Sequence, residues 1–531
     1  MLLKKTLKSR APSLNGFSPF QVAKLVPHLG NVLVDIFNDA MISGKFPLNW
    51  LESCLFFIYK KGDKADPGNY RTISIENPFL KCFMKIIQRR MYQFVESNSL
   101  LPKYQFGFRK QRSTTAAACL LYELGRHCLN NKKRLYACFF DFKKAFDMVD
   151  RTLLFTKLQI LGIPTSLCSL LYFILKNLKL HVRNDSTVSE PFNTLNGVPQ
   201  GDALSPLLFS LFTADLPDRL VHKAPKLNNV DIPYILFADD LVLLAESRNE
   251  LQDAIDQVSE YCQNFNITIN ADKTKYMVFH KGRLPLLDKT VTLSSRTLEN
   301  CTSFSYLGLT FTTQLRFSVH AQSLCRRATA KIGLLFPRLK LQLLPLPLVI
   351  EVFNVYILPM FTYGLFIWYP HISDNAVSMV NAVFSKFLKR FLRIPKQACN
   401  DLTYFIADSQ PLKITLNNLL QKSFLSLKLP PEFSGFKPLS ASSIPRTTEA
   451  YVAMENVPSY FWHNSIPGYV SSNPSFRHSA YRLTFDSAHY QYCSNGSFHL
   501  QKVYEHCNCT CRFCGDTCGI FHFQICPYGW L

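Results

Sequence analysis

A chain of 531 residues, 47% hydrophobic and 18% charged, is too long for one ordinary domain and too apolar to be disordered. Its formal charge of +22 is spread along the sequence, which excludes a single basic arm and makes an extended polyanion, nucleic acid foremost, the natural partner. Of 17 cysteines, the first ten are scattered among apolar residues, as expected of core thiols in a reducing compartment. The other seven (Cys493, Cys507, Cys509, Cys511, Cys514, Cys518 and Cys526) crowd towards the end.

The opening MLLKKTLKSRAPSLNGF sets basic residues within too short an apolar run for a secretory signal. The apolar segment from Leu348 to Pro370 could span a bilayer by length, but Glu351, Asn354 and Pro359 interrupt it. Packed helices, no membrane, and an intracellular protein of nucleus and cytoplasm are the expectation.

Residues 18 to 58 read as helices followed by the β-rich SCLFFIY. The turn KKGDKADPGNYR joins Gly62 and Asp66-Pro67-Gly68-Asn69 to the charges of Lys60, Lys61, Lys64 and Arg71. A helix, NPFLKCFMKIIQRRMYQFVE, leads to a second basic loop, QFGFRKQRSTTAA, where Arg109, Lys110 and Arg112 accompany Phe106, Gly107 and Phe108. LYACFFDF reads as a strand that ends in Asp141 and passes into the helix KKAFDMVDRTLLFTKL, whose early Asp147 and Asp150 suit its positive end. LNGVPQGDALSPLLFSLFTADL runs from a Gly-rich loop into an apolar helix, and YILFADDLVLLAE reads as a hairpin with Asp239 and Asp240 at its turn. NELQDAIDQVSEYCQNF carries Ile255, Val258, Cys262 and Phe265 on one helical stripe, and ITINADKTKYMVF and FSYLGLTFT read as strands. From about 316 to 425 the pattern is helical and basic. From about 430 to 490 it is irregular and rich in Pro, Ser and aromatics.

A carboxylate inside a buried strand must be paired, protonated or bound to a cation. Two side by side repel each other, and divalent metal resolves both problems; a pair of ions about 4 Å apart would clamp the attacking and leaving oxygens of a phosphoryl transfer. Asp141, at another strand end, is the candidate third ligand. An Asp-Asp pair alone equally marks a turn or a cap. The order of the motifs along the chain favours the catalytic reading.

That order resembles the reverse transcriptases of non-LTR (LINE-type) retrotransposons. FFDFKKAFD, NGVPQGDALSPLLF and FADD are similar to the family's motifs A, B and C, IYKKGDKADPGNYRTISI and QFGFRKQRST to its fingers motifs, and ITINADKTKYMVF and FSYLGLTF to motifs D and E. The likeness is close from about residue 8 to 312 and looser beyond. It implies RNA-directed DNA synthesis on an RNA template from a DNA primer or target, with dNTPs as substrates. Asp141, Asp239 and Asp240 would hold two Mg²⁺ ions, with Mn²⁺ as a substitute. Lys60, Lys61 and Arg71 would grip the triphosphate. Phe146 would block a ribose 2'-hydroxyl, although a helix-face core aromatic would look the same. Gln200 and Gly201 would lie beside the nascent base pair, and Lys273 would protonate the leaving pyrophosphate, with Lys275 as its neighbour and rival. Arg109 and Arg112 would touch template phosphates. This chain departs from the family at Thr72, where Pro is usual, and at Gln111, often Gly.

In the tail, Cys511, Cys514, His522 and Cys526 have the spacing of a tetrahedral Zn²⁺ set and resemble the CCHC knuckle of related elements, with Cys507, Cys509 and Cys518 as rival ligands. The expected architecture is an α+β right-hand polymerase. It comprises an N-terminal helical extension (1–40), fingers and antiparallel-sheet palm (41–312), a helical thumb (313–425), an irregular linker region (426–505) and the zinc-knuckle-like segment (506–531). Nothing before residue 18 has room for the endonuclease domain many relatives carry, so target cutting is expected to come from elsewhere. The competing expectation is a non-catalytic nucleic-acid-binding remnant of such an element.

Overall fold

A computed structural model of the chain describes residues 13–426, apart from residues 15, 185–186 and 283–289. The chain divides into two compact units. One holds the residues up to Gly308 with Thr312–Leu315; the other holds Leu309–Phe311 and the described residues from Arg316 onward.

In the first unit, helix α1 (Pro19–Ser43) starts at a capping box: Gln21 N donates to Ser18 Oγ at 3.3 Å while the Ser18 amide donates to Gln21 Oε1 at 2.8 Å. It stops at Gly44, φ +68°, whose amide donates to Ala40 O. One helix thus fills the stretch where spacing suggested several. Strands β1 (Glu52–Tyr59) and β2 (Tyr70–Glu76) form an antiparallel pair running from Tyr59↔Tyr70 to Ser53↔Glu76. Helices α2 (Pro78–Ser97) and α3 (Thr114–Asn130) follow, capped by Asn77 and Ser113.

Strand β3 (Leu135–Phe140) is buried along its whole length. The helix expected to begin at once after Asp141 does not: residues 143–148 are turns, and α4 spans Arg151–Ile160. The reason is local, since Asp150 is the cap and its carboxylate accepts from Leu153 N at 3.0 Å. Then come α5 (Thr165–Asn177), β4 (Lys179–Asn184), β5 (Thr187–Val188) and α6 (Ser205–Phe212). The first, four-stranded sheet has the order β2-β1-β4-β5, with β4 parallel to β1.

Strands β6 (Tyr234–Phe237) and β7 (Asp240–Ala245), helix α7 (Arg248–Asn264), β8 (Lys275–Phe279) and β9 (Glu299–Asn300) complete a second sheet, ordered β9-β8-β3-β7-β6. The stretch ITINADKTKYMVF is a strand only in its second half; before it, Ile269 makes an isolated bridge to Phe142 and Asn270 turns back to Asp141. Helix α7 packs on β7 and β3, and α3 on β6 and β3. Burying each Leu or Val of these strands contributes about 1.5–3 kcal/mol, so the middle of the sheet is its rigid part. Ser303–Tyr306 and Leu309–Thr312 are strands, as expected of FSYLGLTFT.

The second unit contains α8 (Ser318–Arg338), α9 (Leu346–Tyr356), α10 (Asp374–Phe391) and α11 (Leu412–Ser426), joined by shorter helical segments. Some of its basic residues are used internally: Arg390 lies over the Phe336 ring at 4.2 Å, and Lys389 donates to Lys396 O and Ala398 O. Among the described residues no single helix is long and apolar enough to cross a membrane; the most apolar stretch bends by 51° between Leu346–Thr362 and Leu365–His371. The first ten cysteines are free thiols, and all but Cys399 are buried. The linker region from 427 and the zinc set Cys511, Cys514, His522 and Cys526 lie outside the described residues.

Candidate active site

The register of β3 and β7 builds the site. Phe140 pairs with Leu241, so one further step along both strands brings Asp141 level with Asp240. Asp239 is the second residue of the two-residue turn between β6 and β7, and Ala238, the first, has φ +58°. That left-handed value is what a tight hairpin turn demands, and an alanine adopts it only where its surroundings hold it.

The surroundings are the loop Tyr104–Gly107. Leu236 N donates to Tyr104 O at 2.9 Å and Phe106 N to Leu236 O at 2.7 Å, so the loop lies along β6 as a short parallel bridge. The fully buried Gln105 accepts through Oε1 from Gly107 N at 2.8 Å and from Ala238 N at 3.1 Å. A Cβ at Gly107 would stand 2.2 Å from Ala238 N, so only glycine admits this approach.

Electrostatics mark the same place. Burial pushes the Asp239 carboxyl above its ordinary range and the Asp141 charge adds to this, while its own backbone and Arg71 oppose it. Solvent reaches Asp240, yet the protein packed around it, then the charges of Asp239 and Asp141, push its pKa up to about 6. Asp141 is held from behind. Its Oδ2 accepts from Asn270 Nδ2 at 2.9 Å and lies 3.5 Å from Lys273 Nζ, and its amide donates to Thr274 Oγ1 at 3.3 Å. No three acidic, His or Cys side chains among the described residues close into a metal-ligating group. The donor set nonetheless suits a hard divalent cation: all oxygen, all anionic, and mutually repelling without one.

The other expected residues fall in several settings. Lys60, Lys61 and Arg71 are exposed around the turn between β1 and β2, and the charges of Lys60 and Arg71 bear on Asp147 and Asp239. Lys275 pairs with Glu299 at 2.7 Å, leaving Lys273 as the lysine beside Asp141. Phe146 is half-buried in a turn, not on a helix face, stacked on Phe209 at 4.8 Å and edge-on to Phe108 at 6.5 Å. Gln200 Nε2 donates to Asp147 Oδ1 at 3.1 Å. Gly201, φ +120°, does allow a close approach, but of Ser74 O, which a Cβ would meet at 2.6 Å.

Arg109 and Arg112, expected at template phosphates, both have partners within the protein. Arg109 grips both oxygens of Glu96 at 2.9 and 2.7 Å and donates to Pro102 O at 3.0 Å, with its side chain 11% exposed. Arg112 donates to Lys103 O and Gln105 O and lies over the Phe106 ring. Both guanidiniums fasten the loop that braces the Asp pair. Gln105 and Asn270 carried no signal in the sequence, because their partners Ala238 and Asp141 lie more than a hundred residues away.

Residues 58–311 match the family described as reverse transcriptase (RNA-dependent DNA polymerase). The chain is 27% identical over 373 residues to the RNA-directed DNA polymerase from mobile element jockey of Drosophila melanogaster, covering 68% of this chain and 40% of that protein. It is 30% identical over 303 residues to the probable RNA-directed DNA polymerase from transposon BS of the same organism, covering 55% and 33%. The chain therefore spans less than half the length of these curated relatives. Apo telomerase from Candida tropicalis aligns with 76% of the chain at 10% identity and a TM-score of 0.38, too loose for correspondence between residues.

Proposed function

We propose that this chain is a reverse transcriptase of the non-LTR retrotransposon branch, an RNA-directed DNA polymerase extending a primer 3'-hydroxyl on an RNA template. One observation carries the reading. The register of β3 against β7 brings Asp141, Asp239 and Asp240 to one end of strands that are otherwise apolar, where burial first and neighbouring carboxylate charge after it push the Asp239 and Asp240 carboxyls up.

Asp141, Asp239 and Asp240 would hold two Mg²⁺ ions, or Mn²⁺ in their place; bound there, such ions activate the primer hydroxyl and neutralise the triphosphate. Lys60, Lys61 and Arg71 meet the triphosphate charge from the turn between β1 and β2. Phe146, kept in place by Phe209, excludes a 2'-hydroxyl and so selects dNTPs. Gln200 and Gly201 lie beside the nascent pair, and Lys273 Nζ supplies a proton to the leaving pyrophosphate. The basic helices of the second unit grip template and primer, with the salt dependence that phosphate contacts impose. The tail binds Zn²⁺ through Cys511, Cys514, His522 and Cys526. The protein works inside the cell, in nucleus and cytoplasm, without membrane attachment.

The test is incorporation on a primed RNA template with Mg²⁺ and either dNTPs or NTPs, beside Asp239→Asn. Template-dependent dNTP incorporation that Asp239→Asn abolishes is expected. Binding of the template-primer with no incorporation identifies a non-catalytic remnant, and preference for NTPs overturns the role of Phe146.

A further inference from the structure

Between the four-stranded sheet and the Gly-rich loop before α6 lies a second pair of acids that nucleotidyl transfer leaves without a task. Glu76, the last residue of β2, is 3% exposed, and Asp202 is 5% exposed. Ser53 pairs with Glu76 across β1 and β2, so both side chains stand on one face of the sheet, and Ser74, two residues back, shares that face. Each of these four residues has a buried oxygen without a hydrogen-bond partner among the described residues: Ser53 Oγ, Ser74 Oγ, Glu76 Oε2 and Asp202 Oδ1.

The second oxygen of Asp202 is well provided for. It accepts from Leu204 N and Ser205 N at 3.1 Å and from Ser205 Oγ at 3.3 Å. Glu76 has no comparable set of donors, and no ion pair reaches either acid among the described residues. The charges bearing on Glu76 are Asp202, which opposes its ionisation, and Lys81 of α2, which favours it; burial is the larger influence and pushes its pKa well up. Burial also pushes Asp202 up against its amide donors. Two buried carboxylates without a cation are too costly to coexist, and one proton between them removes most of that cost.

The pair sits where the loop meets the strand. Ser74 N donates to Gln200 O at 2.7 Å, and the missing Cβ of Gly201 is what lets the loop lie against Ser74 O. We infer that Glu76 and Asp202 share a single proton, held on Glu76, and serve as positioning residues that seat the Gln200–Gly201 loop on β2. Loss of that proton sets two negative charges under the loop and lifts it from the strand, which displaces Gln200. The consequence for nucleotide binding rests on the polymerase reading above; the shared proton does not.

Two readouts on the full chain test this. In the first, thermal unfolding is followed from about pH 5 to about pH 9 for the wild type, Glu76→Gln and Asp202→Asn. A carboxyl whose folded pKa is raised contributes stability that is complete below its ordinary value and lost as pH rises through the folded one. Glu76→Gln removes the need for the proton, so its Tm advantage over wild type should grow with pH, whereas Asp202→Asn leaves Glu76 buried and should weaken the pH dependence only in part; a constant difference for Glu76→Gln overturns the inference. In the second, the KM for dNTP is measured over the same range. The wild-type KM should rise about fivefold more than that of Glu76→Gln at the alkaline end, with kcat ratios unchanged. Parallel KM profiles overturn the positioning role. Activity that survives Asp239→Asn would overturn the polymerase reading while leaving the Tm test intact.

Discussion

The β6–β7 hairpin and the Tyr104–Arg112 loop both read as functional motifs, yet they use their polar groups in opposite ways. The hairpin buries its apolar residues and leaves Asp239 and Asp240 at the turn, repelling each other and Asp141. The loop turns Gln105, Arg109 and Arg112 inward, onto backbone and onto Glu96. Burial and mutual repulsion mark the carboxylates of the hairpin, whereas hydrogen bonds within the protein mark the guanidiniums of the loop.

The sharpest test of that contrast is Asp141→Asn. Incorporation should fall about a thousandfold or more, while Tm holds or rises because a repulsive charge has gone; a fall in Tm with activity retained would reverse the assignment. Gly107→Ala comes next. Its methyl must displace the Ala238 backbone, so kcat should drop about a hundredfold with stability lower by about 1–3 kcal/mol. Near-normal kcat would show that the loop does not hold the turn.

Arg109→Ala should cost about 1–3 kcal/mol in urea unfolding and leave the salt dependence of template binding unchanged. Burial raises Glu96, but the hydrogen bonds and charge of Arg109 outweigh it and hold the carboxyl below its ordinary range. The pair's contribution is thus present above the ordinary carboxylate pKa and lost as pH falls through the folded value, a loss the variant should not show. A shallower salt slope at unchanged stability would restore Arg109 to the template. The smallest effect is expected of Gln111→Gly. Gln111 has φ +61°, and relieving that strain should raise stability by about 0.5 kcal/mol, readable as a small increase in Tm.

The departure at Gln111 was legible as a missing glycine, but its cost became physical only with the backbone angle. The same holds for Asp150, whose place near a helix start was plain, whereas the turns before it were not. Asp141, Asp239 and Asp240 could be proposed as a set because strand ends, turns and apolar flanks are encoded locally, in spacing and residue type. Ten thiols, the hairpin, α7 and the helical second half were readable for the same reason.

Partners distant in the chain were not. Gln105 on Ala238, Asn270 on Asp141, Arg109 on Glu96 and the charge of Asp202 on Glu76 all depend on which segments fold side by side. A one-residue slip in β3 against β7 would keep every motif and separate the carboxylates. Composition and periodicity determined which side chains had the chemistry to catalyse. Tertiary structure alone decided which of them come together and which partners hold them, because pairing is a property of three-dimensional neighbours and not of spacing along the chain.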